Sequence, residues 1–159
     1  MDRPRVLLAE DHAPIAEQLR KLLEAEFDVV AVVDDGPSLI RAAEELRPDV
    51  IVTDIVMPGL DGIAATVALI ADRPDTRVVL VTAFNGPEMA ERGYAAGALA
   101  HVSKHRAGHE LVPAVRAAVR GERYVSPRHQ RVRCPAGTYR MRWRVTACSA
   151  LTRKGGVKT

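Results

Sequence analysis

Short, strongly apolar segments alternate with amphipathic segments over the first three quarters of the chain. Apolar and β-branched residues fill five short runs, which predict strands at residues 5–9, 29–33, 50–53, 77–82 and 99–102. After the first run, Ile15, Leu19 and Leu23 recur at the spacing of one helix face. The same pattern predicts four more helices, at residues 39–46, 63–72, 86–96 and 110–120.

Glycine, proline and small polar residues mark where the predicted helices begin and end. The segment 35–38, Asp-Gly-Pro-Ser, interrupts the chain, and Ser38 is predicted to be the N-cap of the second helix. Pro48 ends that helix, and Gly97 closes the fourth.

The order of these elements predicts the fold class. Strands that are apolar on both faces are typical of a parallel sheet covered by helices on both sides. Because parallel crossovers are right-handed, five strand–helix alternations predict a doubly wound α/β fold with a five-stranded parallel sheet and five helices.

Polar residues stand where four of the predicted strands end. Glu10 and Asp11 follow the first strand, and Asp54 follows the third. Thr82 ends the fourth strand, and Lys104 follows the fifth. Since the carboxyl ends of parallel strands meet at one edge of a sheet, we expect these five side chains to converge.

The residue types that converge are suited to the transfer of a phosphoryl group to a carboxylate. Three clustered carboxylates repel one another and need a cation, and an all-oxygen site suits Mg²⁺. A carboxylate can attack phosphorus to give an aspartyl phosphate, while a metal ion and a lysine spread the charge of the phosphoryl oxygens. Each residue alone has a plainer interpretation, as a turn residue, a packing residue or a solvated charge. The hypothesis of phosphoryl transfer therefore depends on the presence of all five residues at the ends of neighbouring strands.

The sequence around Glu10, Asp11, Asp54, Thr82 and Lys104 resembles the receiver domains of two-component response regulators. The most specific motif is the segment 49–62, which is similar to the phosphorylation strand and loop of that family. The segment 121–127 resembles the end of the receiver in the NarL/FixJ-type branch. Other matching segments are 6–12, 78–83 and 95–104.

The resemblance implies a flavodoxin-like sheet of order 2-1-3-4-5 and a set of roles. Asp54 would accept a phosphoryl group from a sensor histidine kinase. Thr82 would sense the phosphoryl group, and Lys104 would pair with it. Gly62 would let the loop turn into the next helix. The Mg²⁺ ligands would be Glu10, Asp11, Asp54 and the backbone carbonyl of Val56.

The chain departs from the family pattern near these residues. His101 stands where the family has an aromatic switch residue, and it is either a neutral core histidine or a pH-sensitive switch. Val56 and Phe84, two residues after Asp54 and Thr82, are both apolar. We expect them to screen the phosphoryl group from water, so that self-dephosphorylation is slow.

A compositional boundary predicts two regions, a receiver domain at residues 1–125 and an irregular or disordered basic tail at 126–159. Residues 1–125 hold 14 Lys and Arg against 20 Asp and Glu, whereas residues 126–159 hold 9 and none. The tail is either a nucleic-acid-binding arm, with Arg140, Arg142 and Arg144 for phosphates and Trp143 for stacking, or a solvated tail. No helix-turn-helix unit is recognisable in it.

Several function classes are compatible with these residues. The leading hypothesis is a cytoplasmic phosphorylation switch that is not an enzyme beyond phosphorylation and dephosphorylation of its own Asp54. A homodimer would use either helix 4, strand 5 and helix 5, or helices 1 and 5. The alternatives are a DNA-binding transcriptional regulator without its output domain, an unphosphorylated interaction module, and a phosphatase that passes through an aspartyl phosphate. No stretch predicts a membrane helix or a secretory signal.

Overall fold

A parallel β-sheet with helices on both faces organises the chain in a computed structural model that describes residues 2–84 and 86–127. The strands are β1 Arg5–Ala9, β2 Asp28–Val33, β3 Val50–Asp54, β4 Val78–Thr82 and β5 Ala100–Ser103. The helices are α1 Ala13–Glu24, α2 Gly36–Leu46, α3 Gly62–Asp72, α4 Pro87–Ala95 and α5 Ala107–Val119. A 3₁₀ turn, Lys104–Arg106, connects β5 to α5.

The five strands lie in the order β2-β1-β3-β4-β5, and every neighbouring pair is parallel. The predicted doubly wound, flavodoxin-like fold is therefore confirmed. Ala9 pairs with Thr53 across β1 and β3, and Asp54 pairs with Val81 across β3 and β4. This register brings the carboxyl ends of the central strands to the same level, where ligand sites of open α/β sheets form.

Two apolar clusters, one on each face of the sheet, hold the helices in place. On one face, Val52 and Val81 pack in the same cluster as Leu23 of α1 and Leu111 of α5. On the other face, the cluster includes Ile51 and Leu80 of the strands together with Leu39 of α2 and Leu69 of α3. Burying a Leu or Val side chain contributes about 1.5–3 kcal/mol each, so the central strands are firmly fixed.

The N-cap of α2 is Asp35, so the prediction that Ser38 caps this helix was wrong. The Asp35 Oδ1 atom accepts a hydrogen bond from the Ser38 N–H at 2.7 Å, and Oδ2 accepts from the Ser38 hydroxyl at 2.8 Å. These two bonds lower the pKa of Asp35 below its usual value. Ser38 therefore lies within the first turn, where it binds the cap.

Helix α5 begins at Ala107, three residues before the predicted start at Glu110. The 3₁₀ turn at Lys104–Arg106 runs directly into the helix, and Ala107 is buried. Gly108 and His109 carry no apolar periodicity, and for that reason the sequence pattern did not reveal this first turn. Pro113 lies inside the helix.

The predictions for the basic tail, including those for Arg140, Arg142, Arg144 and Trp143, concern residues outside the described part of the chain. Within residues 2–84 and 86–127, no helix has both the length and the apolar character needed to span a bilayer.

Candidate functional site

The candidate site lies at the carboxyl edge of the sheet, where the ends of β1, β3, β4 and β5 meet. Asp54 is the last residue of β3, and Glu10 follows β1 directly. Thr82 is the last residue of β4, and Lys104 opens the 3₁₀ turn after β5. Because Thr82 pairs with Ser103, the residue before Lys104, the β5 end is level with the β4 end.

Three carboxylates form an acidic cluster at this edge. Glu10, Asp11 and Asp54 each offer one oxygen atom, and these atoms all lie within 4.8 Å of one another. Glu10 and Asp54 are buried, with 2% and 5% of their surface exposed, whereas Asp11 is exposed. The cluster therefore has an inner pair and an outer member that faces solvent.

Lys104 provides the positive charge inside the site. Its Nζ atom lies 2.6 Å from Asp54 Oδ2 and 2.6 Å from Glu10 Oε2. Burial lowers the pKa of this ammonium group, but hydrogen bonds and charge interactions with Asp54 and Glu10 outweigh burial and raise the pKa above its usual value. Lys104 is thus held as a cation between the two buried carboxylates.

Glu10 has a carboxyl group whose pKa is raised above its usual value. Burial is the main cause, and the nearby negative charge of Asp54 acts in the same direction. Lys104 and the His12 backbone N–H, which donates to Glu10 Oε1 at 3.1 Å, oppose the rise. The protein therefore holds this carboxylate in a position that disfavours its charge, which a bound cation would offset.

Backbone groups fix the orientation of Asp54 and of the loop that follows it. The Val56 N–H donates to Asp54 Oδ1 at 3.3 Å, so both carboxylate oxygens have a partner. The Gly62 N–H donates to the Ile55 carbonyl at 2.8 Å and thereby ties the start of α3 to the end of β3. A Cβ atom on Gly62 would lie 2.0 Å from the Asp54 carbonyl oxygen.

Gly62 is therefore required by close packing against the end of β3, and not by a positive φ angle. The positive-φ glycines of the described residues are Gly59, Gly97 and Gly121, and Gly62 is not among them. The role that the family resemblance implied for Gly62, a turn into the helix, stays a prediction, and the close packing adds a second reason for glycine at the first residue of α3.

Thr82 is fully buried, and its hydroxyl oxygen accepts a hydrogen bond from the Phe84 N–H at 3.1 Å. On either side of the site, Val56 is 54% exposed and Phe84 is 59% exposed. These two apolar side chains thus lie at the surface, in the two loops that follow β3 and β4.

His101 is a buried residue of β5, with 3% of its surface exposed. The hydroxyl of Tyr94 in α4 contacts this strand at the His101 backbone. The same hydroxyl donates a hydrogen bond to the Tyr124 carbonyl at 2.7 Å. The position that holds an aromatic switch residue in the resembled family therefore has a buried histidine here, whose backbone contacts the hydroxyl of Tyr94 in α4.

The structure brings Glu10, Asp11, Asp54 and Lys104 together, as expected from the predicted strand ends, and places Thr82 at the end of the adjoining strand. The contact between Lys104 and Glu10 was not predicted from the sequence, where the lysine was paired with the phosphoryl group alone. The backbone N–H groups of His12 and Val56 were also missed, because side-chain identity gives no signal for them.

Comparison with known proteins identifies the class to which this fold and site belong. The family model of the response regulator receiver domain matches residues 6–116. The chain therefore belongs to the response-regulator receiver family.

Individual relatives are also similar to the chain. The uncharacterized transcriptional regulatory protein YxjL of Bacillus subtilis is 37% identical over 123 residues, which cover 76% of this chain and 56% of YxjL. A LuxR-family two-component response regulator of Aurantimonas has a TM-score of 0.76 and 32% identity, covering 80% of this chain and 92% of that one. The receiver domain of the putative regulator NarL of Mycobacterium tuberculosis has a TM-score of 0.73 and 28% identity, covering 77% and 100%. The chain spans a little over half the length of the curated relatives it matches.

Proposed function

We propose that this receiver is a phosphorylation switch in which Asp54 accepts a phosphoryl group from a sensor histidine kinase in a Mg²⁺-dependent reaction. The observation that carries the proposal is the environment of Asp54. Its carboxylate is buried, contacts Lys104 at 2.6 Å, and lies in a cluster with Glu10 and Asp11. A nucleophilic carboxylate, a cation and further acidic ligands are the parts that phosphoryl transfer to an aspartate requires.

The acidic cluster fits Mg²⁺ by its donor chemistry. Mg²⁺ prefers oxygen ligands and keeps several waters, and this cluster offers carboxylate oxygens with one member at the surface. Glu10, Asp11 and Asp54 would hold the ion, joined by the backbone carbonyl of Val56. When bound, the ion would neutralise charge on the phosphoryl oxygens.

The residues of the chain divide the chemistry among them. An Asp54 carboxylate oxygen would form a bond to phosphorus while the bond from phosphorus to the donor's imidazole nitrogen breaks. Lys104 would offer its charge to the phosphoryl oxygens, since its Nζ atom already lies beside Asp54 Oδ2. The Thr82 hydroxyl would leave the Phe84 N–H and donate to a phosphoryl oxygen.

Movement of Thr82 toward the phosphoryl group would change the surface that partner proteins bind. The new negative charge would rearrange the surface formed by α4, β5 and α5. A homodimer would form through that surface or through α1 and α5. Each surface is built from adjoining elements, because α4 and α5 both contact β5, and α1 contacts α5.

We further propose that the chain is not an enzyme acting on a separate substrate. A phosphatase using an aspartyl phosphate needs a second acid near the nucleophile, and the residue two positions after Asp54 is Val56. Its side chain is apolar and exposed, so it offers no proton to a leaving group. Phosphorylation and dephosphorylation of Asp54 itself would be the whole of the chemistry.

Transcription regulation is a candidate output, because similar proteins such as YxjL and the Bacillus subtilis LiaR are named transcriptional regulatory proteins. The basic region 126–159 would then contact nucleic acid through phosphates.

Fluorescence anisotropy of a labelled DNA duplex tests this contact. The affinity of the protein for DNA should fall by roughly tenfold or more between about 50 and 200 mM salt. Replacing Arg140, Arg142 and Arg144 by Ala should reduce the salt dependence, and equal binding by both proteins would dismiss the arm.

Binding of beryllofluoride, a phosphoryl mimic, tests the proposed site. NMR spectra of the backbone amides should show, on adding beryllofluoride with Mg²⁺, a change that neither beryllofluoride alone nor Mg²⁺ alone produces. Asp54→Asn and Asp11→Asn should abolish or weaken the response. The matched control is Asp72→Asn, at the end of α3 and outside the cluster, which should respond as the wild type does. No response in the wild-type protein would contradict the proposal.

A further inference from the structure

A buried hydroxyl group beside Thr82 has no role in the site described above. Ser103 is the last residue of β5, directly before Lys104, and it pairs with Thr82 across β4 and β5. Its Oγ atom is buried and has no hydrogen-bond partner among the described residues. Leaving a buried hydroxyl without a partner is unfavourable, and such a group in a functional edge of the sheet calls for an explanation.

The register of the two strands brings the Ser103 and Thr82 side chains to the same face of the sheet. The preceding pair, Val81 and Val102, is buried in the apolar cluster against α1 and α5. Because successive side chains of a strand point to opposite faces, Thr82 and Ser103 both point to the other face. Neighbouring strands lie about 5 Å apart, so rotation about one χ1 angle can bring the two hydroxyl groups together.

The hydrogen-bonding capacity of Thr82 gives the Ser103 hydroxyl a use. A hydroxyl group can donate one hydrogen bond and accept two. At present the Thr82 oxygen accepts from the Phe84 N–H. A phosphoryl oxygen can only accept, so Thr82 must donate its proton to it, and its own oxygen is then free to accept another bond.

We propose that Ser103 is a positioning residue of the phosphorylated state, in which its hydroxyl donates to Thr82 Oγ1 while Thr82 donates to the phosphoryl group. This inference rests on the proposed function of Asp54. The bond fixes the Thr82 rotamer that the phosphoryl group requires and gives Ser103 the partner that it lacks in the unphosphorylated state. Because the bond forms in one state only, it shifts the equilibrium toward the phosphorylated conformation.

Beryllofluoride affinity of the full chain with Mg²⁺, followed by backbone-amide NMR, tests the inference. Ser103→Ala should bind about threefold to tenfold more weakly than the wild type, which is the effect of one lost hydrogen bond. The melting temperature of unliganded Ser103→Ala should equal or exceed that of the wild type, since an unpartnered hydroxyl has been removed. Ser103→Thr keeps the hydroxyl and should restore the affinity.

The control and the contradicting results separate this inference from the proposal on which it rests. Ser38→Ala removes a hydroxyl that binds Asp35, at the start of α2, and should leave the affinity unchanged. Wild-type affinity in Ser103→Ala would overturn the inference, as would a lowered melting temperature of its unliganded form, which would show a packing role. Absence of beryllofluoride binding in the wild-type protein would instead overturn the proposed function.

Discussion

At the scale of single residues, the buried carboxylates of Glu10 and Asp54 share one lysine, whereas the neighbouring Asp11 is exposed. Burial raises the pKa of Glu10, and the Lys104 ammonium lies between Glu10 and Asp54 with both contacts at 2.6 Å. A buried ion pair is expensive to break, because removing one partner leaves an unpaired charge of the other sign. Asp11 remains exposed, and the cluster therefore opens to solvent on one side.

We propose that two single residues, Val56 and Phe84, set the lifetime of the aspartyl phosphate. These side chains are about half exposed and carry no group that could orient a water molecule. Replacing both, Val56→Asn with Phe84→Glu, should shorten the lifetime by about tenfold or more, because polar groups can hold and activate water. Loss of the phosphoryl mass with time after removal of acetyl phosphate measures the lifetime.

A matched control for this change is Val67→Asn. Val67 is an equally exposed apolar residue of α3, at 51%, and the substitution should leave the lifetime unchanged. A lifetime in the double variant that is no shorter than that of the wild type would show that the apolar side chains do not screen the phosphoryl group.

At the scale of elements, strand ends and their loops decide how far the sequence could predict the site. The apolar run at residues 50–53 correctly predicted that Asp54 lies at the end of a strand, because such a run is formed by residues close in sequence. The close approach of Gly62 to the Asp54 carbonyl was not predictable, since it arises from packing between α3 and β3. The cap of α2 was misassigned because Asp35 and Ser38 are both good capping residues, and only the backbone geometry distinguishes them.

Substitution of Gly62 by Ala tests the packing of α3 against β3. The added Cβ would lie 2.0 Å from the Asp54 carbonyl oxygen, so the strand end or the helix must move. We expect the free energy of unfolding to fall by about 1–3 kcal/mol or more, measured by urea denaturation. Gly108→Ala in α5 is the matched control, because nothing lies within 4 Å of its Cβ position, and it should be neutral or slightly stabilising. Equal stabilities of the two variants would contradict the packing role.

Burial of the Tyr94 hydroxyl in α4 should make the free energy of unfolding decrease as the pH becomes alkaline. Burial raises the pKa of Tyr94 from 10.0 to about 12. The unfolded chain then loses this proton at lower pH than the folded chain does, so the stability due to Tyr94 is complete below pH 10 and is lost as pH rises toward 12.

Tyr94→Phe removes this titration and provides the comparison. Between pH 9 and pH 11.5, wild-type stability should fall by about 2 kcal/mol relative to that of the variant, measured by urea denaturation at each pH. Parallel pH profiles of the two proteins would show that the Tyr94 hydroxyl is not held in the buried position described.

Across residues 2–84 and 86–127, a five-stranded sheet brings the candidate site residues to its carboxyl edge, and β5 forms one side of the sheet. The central strands β3 and β4 are buried along their whole length, so Asp54 and Thr82 have fixed backbones. The loops after these strands carry the exposed Val56 and Phe84, and β5 forms an edge of the sheet beside α4 and α5. This arrangement is suited to convert a charge added at Asp54 into a changed surface.

Intact-mass spectrometry after incubation with acetyl phosphate tests the central claim most directly. With Mg²⁺, the wild-type protein should gain the mass of one phosphoryl group, and Asp54→Asn or removal of Mg²⁺ should prevent the gain. Asp61→Asn, which keeps the capping ability at the start of α3, is the matched control and should still be phosphorylated. A folded wild-type protein that gains no phosphoryl mass and does not bind beryllofluoride, or an Asp54→Asn variant that gains the same mass, would contradict the assignment of Asp54 as the phosphoacceptor.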